Sequence, residues 1–278
     1  MLFRLTLICA ALLLSSAQAF AHHPVQVTRD SFETDVIAAH LSVDHAAFDI
    51  QARRGTWTRM TLQALYAPLS WLHLEASLPM AWVREEGNPE RFGLTDIEVG
   101  VKVRPYTAPS GVWYVETGLG LELPTGDSSA GLGGGHFALI PSLAMRVNLS
   151  ETLHMQGSLA LASSLNAHAH APGSWHSILA IHAMHELGAR IDLVYADDLV
   201  RAKLAVQSLQ GLSAPNEAGP TSLITGASLA LSGGWALQGE FEVPFAGQRR
   251  TAWRASLGVG WRMAFEQEAE HVDCDCPK

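Results

Sequence analysis

Apolar and polar residues alternate with a period of two over long stretches of this chain. Leu72, Leu74, Ala76 and Leu78 alternate with His73, Glu75 and Ser77. Ile97, Val99, Val101 and Val103 alternate with Asp96, Glu98, Gly100, Lys102 and Arg104. Val115, Leu119, Leu121 and Leu123 alternate with Glu116, Gly118, Gly120 and Glu122. Trp253, Leu257, Val259, Trp261, Met263 and Phe265 alternate with Arg254, Ser256, Gly258, Gly260 and Arg262. Successive side chains of a β-strand point to opposite faces, so each stretch predicts a strand with one apolar face and one polar or small face.

A soluble β-sandwich alternates too, with its apolar face inward. Two features favour an all-β, transmembrane, antiparallel up-and-down β-barrel. The alternating stretches run to about nine to thirteen residues, the length of a tilted membrane strand. The connections between them also alternate in length. From Thr34 onward we read about twelve strands, with tight connections at 67–70, 106–111, 148–151, 186–188 and 232–234. Longer, Gly-, Pro- and Asn-rich connections fall at 45–55, 83–94, 124–135, 166–174, 197–220 and 246–250. Short turns on one rim and long loops on the other are the pattern of outer-membrane barrels, and an even count returns both termini to the periplasmic turn rim. Residues 200–207, where Arg201 and Lys203 alternate with Ala202, Leu204 and Val206, fit a strand extension or a hairpin inside a long loop. The first strand, near 34–43, alternates poorly, so counts of ten and fourteen stay open. The tryptophans fall mostly near strand ends, as in interfacial girdles.

The N-terminus reads as a cleaved signal peptide over residues 1–21. Arg4 precedes an apolar run from Leu5 to Leu14, and Ala17-Gln18-Ala19 and Ala19-Phe20-Ala21 both fit a small-x-small cleavage site. The run is short for a membrane span. Residues 22–33 then form a periplasmic segment, 34–265 the barrel, and 266–278 a periplasmic tail rich in Cys and His. The 48% hydrophobic content suits a barrel that is apolar outside and polar inside. A net charge of −9 excludes nucleic acid as an expected partner. Cys9 lies in the signal, and Cys274 and Cys276 lie too near the C-terminus to staple a fold, so packing and backbone ladders must hold it.

Gly93-Leu94-Thr95-Asp96 opens one strand, Leu123-Pro124-Thr125-Gly126-Asp127 ends the next, and Gly131-Leu132-Gly133-Gly134-Gly135 follows. This succession of G-L-x-D, L-P-T-G-D and G-L-G-x-G resembles the outer-membrane family labelled "MetA-pathway of phenol degradation", best over roughly residues 70–150. The resemblance implies a small-solute barrel that passes aromatic or other hydrophobic compounds. Many members carry an acidic residue after the glycines, where this chain has His136. Read physically, Pro124 ends a strand, Thr125-Gly126-Asp127 makes a turn, and Gly131, Gly133 and Gly135 let the backbone fold tightly. The segment is then either an ordinary surface loop or, with His136, a constriction folded into the pore.

By parity Glu75, Glu98, Lys102, Arg104, Glu116, Glu122, Arg146, Glu240, Arg254 and Arg262 should face the lumen, with His73, His136, His154, Gln156 and Glu242. Mixed charge inside a barrel is either a salt-bridged filling or a polar pore that selects solutes. The inward glycines favour some open space. His168 and His170 form an H-x-H in a predicted loop. His271, Cys274 and Cys276 close the chain, and His22 stands third if cleavage follows Ala19. These residue types could take Cu or Zn, although polar loops and tails carry them without metal. Ser174, His176 and Asp192 have the types of a hydrolytic triad but no nucleophile-elbow signature, and the glycine run precedes no helix pattern, so we expect no catalytic site and no nucleotide cradle. The sequence thus reads as an outer-membrane channel for small, hydrophobic or aromatic, solutes, not an enzyme, with outer-membrane lipid and solute as partners and no cofactor. The rival readings are a Cu- or Zn-associated barrel and a structural barrel with a filled lumen.

Overall fold

The computed structural model describes residues 36–50, 53–165, 185–212, 218–247 and 251–264. They form β1 (Val36–Ile50), β2 (Arg53–Leu69), β3 (Leu72–Glu85), β4 (Arg91–Leu94), β5 (Ile97–Thr107), β6 (Trp113–Leu123) and β7 (Phe137–Asn148). Then follow β8 (Leu153–Leu165), β9 (His185–Ala196), β10 (Val200–Gly211), β11 (Ala218–Ala230), β12 (Trp235–Ala246) and β13 (Trp253–Ala264). Apart from β4 and β5, each strand pairs antiparallel with its chain neighbours, and β1 pairs with both β2 and β13, which closes the sheet into a barrel. The signal peptide, periplasmic segment and tail expected from the sequence lie outside the described residues.

β4 and β5 are two halves of one stave. Both pair with β3, with Leu94 opposite Met80 and Glu98 opposite Ser77, so twelve staves close the barrel. Between those pairs the β4–β5 side carries one residue more than β3, which is a bulge. It sits opposite Pro79, which has no N–H to donate but accepts the Thr95 N–H at 3.0 Å. The bulge turns both Thr95 and Asp96 inward. Parity flips across it: Phe92 and Leu94 face out before it, and Val99 faces out after it.

The alternation sorts the two faces. Leu62, Leu119, Leu143, Leu193, Leu204 and Leu237 stand exposed on the outside, and Leu257 reaches 72% exposure. Such a continuous apolar exterior on a closed sheet is stable only against lipid, so the barrel belongs in the outer membrane. Exposed Tyr66, Trp71, Tyr106, Tyr195 and Trp235 mark the turn rim, and Trp82, Phe92, Phe137 and Phe245 mark the loop rim. Trp57 departs from the girdle expectation, because it faces inward and is 4% exposed.

Three connections differ from the sequence reading. Residues 186–188 are no turn: Glu186, Leu187 and Gly188 lie within β9 and pair with β8 on one side and β10 on the other. The tight turn falls instead at 197–199, inside the span read as a long loop, where the Asp197 carboxylate accepts the N–H of Leu199 at 2.9 Å and of Val200 at 2.6 Å. It leads into β10, a full stave where the sequence left an extension or a hairpin open. Residues 45–55 are not a long loop either, since β1 and β2 pair out to Ile50 opposite Arg53. β1 alternates poorly because its inner face changes character along its length. His40, Ser42 and Asp44 give way to Ala46 and Phe48, which join an apolar cluster inside the loop-rim mouth.

Candidate functional site: the lumen and its inward loop

Residues 124–136, which join β6 to β7, fold into the barrel mouth. Asp96, turned inward by the bulge, accepts the N–H of Gly126 at 2.9 Å and of Gly134 at 2.5 Å. Thr125 Oγ1 accepts the Ile97 N–H at 2.9 Å and donates to the Thr95 carbonyl at 3.0 Å. Gly126 and Gly133 cross so closely that a Cβ on Gly133 would stand 2.5 Å from Asp96 Oδ1 and 2.8 Å from Gly126 Cα. Glycine is needed there because no side chain fits between the strands of the loop. Arg91 donates to the Ala130 carbonyl at 2.8 Å and pairs with Glu85 at 2.8 Å. His136 meets Ser164 Oγ at 2.7 Å. At the exposed tip the Ser129 hydroxyl, aided by the Ala130 N–H, holds the Asp127 carboxyl below its ordinary range. The motif residues Asp96, Gly126, Gly133 and Gly134 therefore latch one loop.

The latch delivers Leu132 into the mouth. Its side chain, 2% exposed, packs with Ala46, Phe48, Trp57, Ala81 and Val83, which β1, β2 and β3 turn inward. Beneath it lies a void of about 20 Å³, large enough for a water, lined by Arg59, Thr61, Asp96, Glu98 and Glu122 among others.

Further along the lumen the charges pair. Asp44 and Arg59 meet at 3.1 Å, both side chains nearly inaccessible. Lys102 holds Glu75 at 2.9 Å, and Arg104 holds Glu116 at 3.0 Å. Arg190 grips Asp192 at 2.7 Å. Glu240 joins Lys203 and Arg254, the latter at 3.1 Å, and Arg254 also reaches Glu242 at 2.9 Å. Toward the turn rim Arg104 stacks 3.8 Å over the Tyr114 ring, and Arg146 donates to the Tyr114 hydroxyl at 3.4 Å. Among these pairs a cavity of about 160 Å³ stays open, lined by Glu75, Lys102, Glu116, Arg190, Asp192, Arg201, Lys203 and Glu240 together with Gly118 and Gly120. Not every inward glycine leaves a gap: the Glu75 side chain lies over Gly100, and Ser142 and Lys102 lie over Gly118.

The sequence-named lumen residues Glu75, Glu98, Lys102, Arg104, Glu116, Glu122, Arg146, Glu240, Arg254 and Arg262 lie on the lumen-facing parity of their strands; Glu75, Lys102, Arg104, Glu116, Glu240 and Arg254 enter the ion pairs, Glu98 and Glu122 line the small void, and Arg146 meets Tyr114. Asp44, Arg59, Glu186 and Arg190 were missed. The signal for two of them was present, since Glu186, Gly188, Arg190 and Asp192 alternate with Leu187, Ala189, Ile191 and Leu193; a turn placed at 186–188 cut that alternation short. Asp192, weighed as a hydrolytic acid, is spent on Arg190. Ser174 and His176 lie outside the described residues, as do His22, His168, His170, His271, Cys274 and Cys276. Among the described residues no group of three His, Cys, Asp or Glu side chains is placed to hold a metal.

A family model described as "Putative MetA-pathway of phenol degradation" matches residues 26–183. No curated protein matches the chain. Among solved structures the chain resembles the COG4313 outer membrane channel from Pseudomonas putida F1, with a TM-score of 0.67 at 13% identity, covering 87% of this chain and all of that one. It also resembles the KdgM porin in complex with disordered oligogalacturonate, with a TM-score of 0.50 at 14% identity, covering 81% and 99%. At such identities the likeness concerns the barrel fold.

Proposed function

The chain belongs to the MetA-pathway of phenol degradation family, whose model matches more than half of its 278 residues, and from that premise we propose that it is a passive outer-membrane channel for small, weakly polar solutes of about one aromatic ring. The carrying observation is the 160 Å³ cavity held open in mid-lumen. That is close to the ~150 Å³ of an engineered protein cavity known to hold benzene, and below the volume of a drug-sized site. Glu75, Lys102, Glu116, Arg190, Asp192, Lys203 and Glu240 in its lining are ion-paired, which suits solutes with a hydroxyl or carbonyl better than free ions, because a partner charge would have to be displaced to bind an ion. The inward loop narrows the mouth on the loop rim, which faces the exterior in barrels of this kind. The Pseudomonas channel and the KdgM porin, named as channel and porin, support the reading by fold.

The test is permeation. Liposomes carrying the refolded barrel should admit phenol-sized polar aromatics faster than sugars of larger volume. In planar bilayers the open level should be small, and it should rise when residues 128–134 are excised. A barrel that neither conducts nor admits solute with the loop excised is a filled structural barrel, and the channel reading fails.

A further inference from the structure

We propose that the seat filled by Leu132 is a binding site for a small uncharged molecule that carries one apolar or aromatic group and one oxygen able to accept a hydrogen bond. This deepens the channel reading and rests on it. Three observations carry it. First, the seat is built by the wall of the barrel and not by the loop: Phe48, Trp57 and Val83 are inward side chains of β1, β2 and β3, each almost fully buried. The inward positions next to the seat on these strands turn polar, with Ser42, Asp44, Arg59, Thr61 and Ser77. A local apolar lining inside a polar lumen exists to take an apolar group.

Second, the present occupant belongs to a displaceable segment. Leu132 comes from the connection between β6 and β7, which is kept in place by hydrogen bonds to Asp96, Arg91 and Thr95 and by no strand pairing. One isobutyl group marks the size and the apolar character of what the seat accepts.

Third, Trp57 Nε1 is buried and has no hydrogen-bond acceptor among the described residues. A buried donor without an acceptor is costly, and native structures leave few of them. Leu132 has no acceptor in its side chain. A ligand that displaced Leu132 with an apolar group and placed an oxygen within reach of the indole would also satisfy its N–H. The neighbouring cation is committed: Arg59, 5.6 Å from the Trp57 ring, is paired with Asp44. The seat therefore selects neutral molecules.

The experiment uses the full barrel in detergent with indole-15N-labelled tryptophan, Trp57→Phe assigning the Trp57 signal. Benzyl alcohol and toluene are titrated, with free concentrations corrected for partition into micelles. Benzyl alcohol should move the Trp57 N–H resonance and bind roughly three- to tenfold more tightly than toluene, the range expected for one neutral hydrogen bond. Trp57→Phe should abolish that preference while toluene still binds. Leu132→Ala should tighten both probes, and Leu132→Trp, which fills the seat and leaves Trp57 intact, should exclude both. No response of the Trp57 resonance in the wild type overturns the proposal, as does equal affinity for the two probes. Conductance separates the two readings: a conducting barrel with a silent Trp57 loses only the binding site, and a barrel that binds but neither conducts nor admits solute with residues 128–134 excised loses only the channel.

Discussion

The Asp96 carboxylate accepts the backbone N–H of Gly134 at 2.5 Å across 38 residues of chain. With the Gly126 N–H on its other oxygen, this one side chain ties the end of the inward loop to the bulge at the base of β5. Hydrogen bonds from backbone N–H groups to a charged acceptor contribute about 1.5–3 kcal/mol each. Asp96→Ala should therefore free the loop while leaving the strand ladders intact. Limited proteolysis should cut within 124–136 in the variant and not in the wild type, and the open-channel current should rise. An unchanged cleavage pattern would show that the loop closes without its latch.

Gly133→Ala should reproduce that phenotype by a different route. Its Cβ would be forced to 2.5 Å from Asp96 Oδ1, and the neighbouring atom on the other side is the Gly126 backbone, which cannot yield. Gly157→Ala is the control, because a Cβ there meets nothing within 4 Å. Proteolysis and current should change for the first substitution and not for the second.

Asp44 and Arg59 are buried as a pair inside the loop half of the barrel. Replacing only one, as in Arg59→Met, strands a buried charge and should destabilise the barrel by about 3–5 kcal/mol in urea unfolding from detergent or lipid. The double variant Asp44→Leu with Arg59→Met should recover most of that loss. A double variant no better than the single would show that the pair's attraction outweighs its desolvation.

Glu240 stands between Lys203 and Arg254. Glu240→Gln removes the shared negative charge and leaves both cations in the lumen. The reversal potential in a salt gradient should shift toward anion selectivity, and Lys203→Gln should shift it the other way. Movement in the same direction for both would contradict the pairing.

The turn at 197–199 carries a pH signature. The N–H groups of Val200 and then Leu199, followed by the Tyr195 hydroxyl, hold the Asp197 carboxyl below its ordinary range. A depressed folded value means the carboxylate stabilises the fold above its unfolded pKa, about 3.9, and that this contribution is lost as the pH falls through the lower folded value. Wild type should therefore exceed Asp197→Ala in stability above about pH 4, with the gap closing in stronger acid. A gap that persists at the acid end would assign it to something other than this charge.

Much of the barrel is legible along the chain. Leu72–Leu78 or Ile97–Val103 need no neighbours to declare two faces, because strand period and side-chain direction are local properties of the backbone. Turn chemistry is local as well: Asp197-Asp198 carries it, and glycine at 188 mimics it within a strand. What the alternation hid follows from contacts between residues far apart. β1 changes its inner face at Ala46 because a leucine 86 positions later arrives there. Tertiary structure alone decided that Asp96 points at a loop and not at a cation, that Glu240 is shared by two cations, and that the Gly-rich segment enters the mouth. Alternation states which side of the wall a residue faces; which partner it meets there depends on the curvature and stagger of the closed sheet, and no local pattern encodes those.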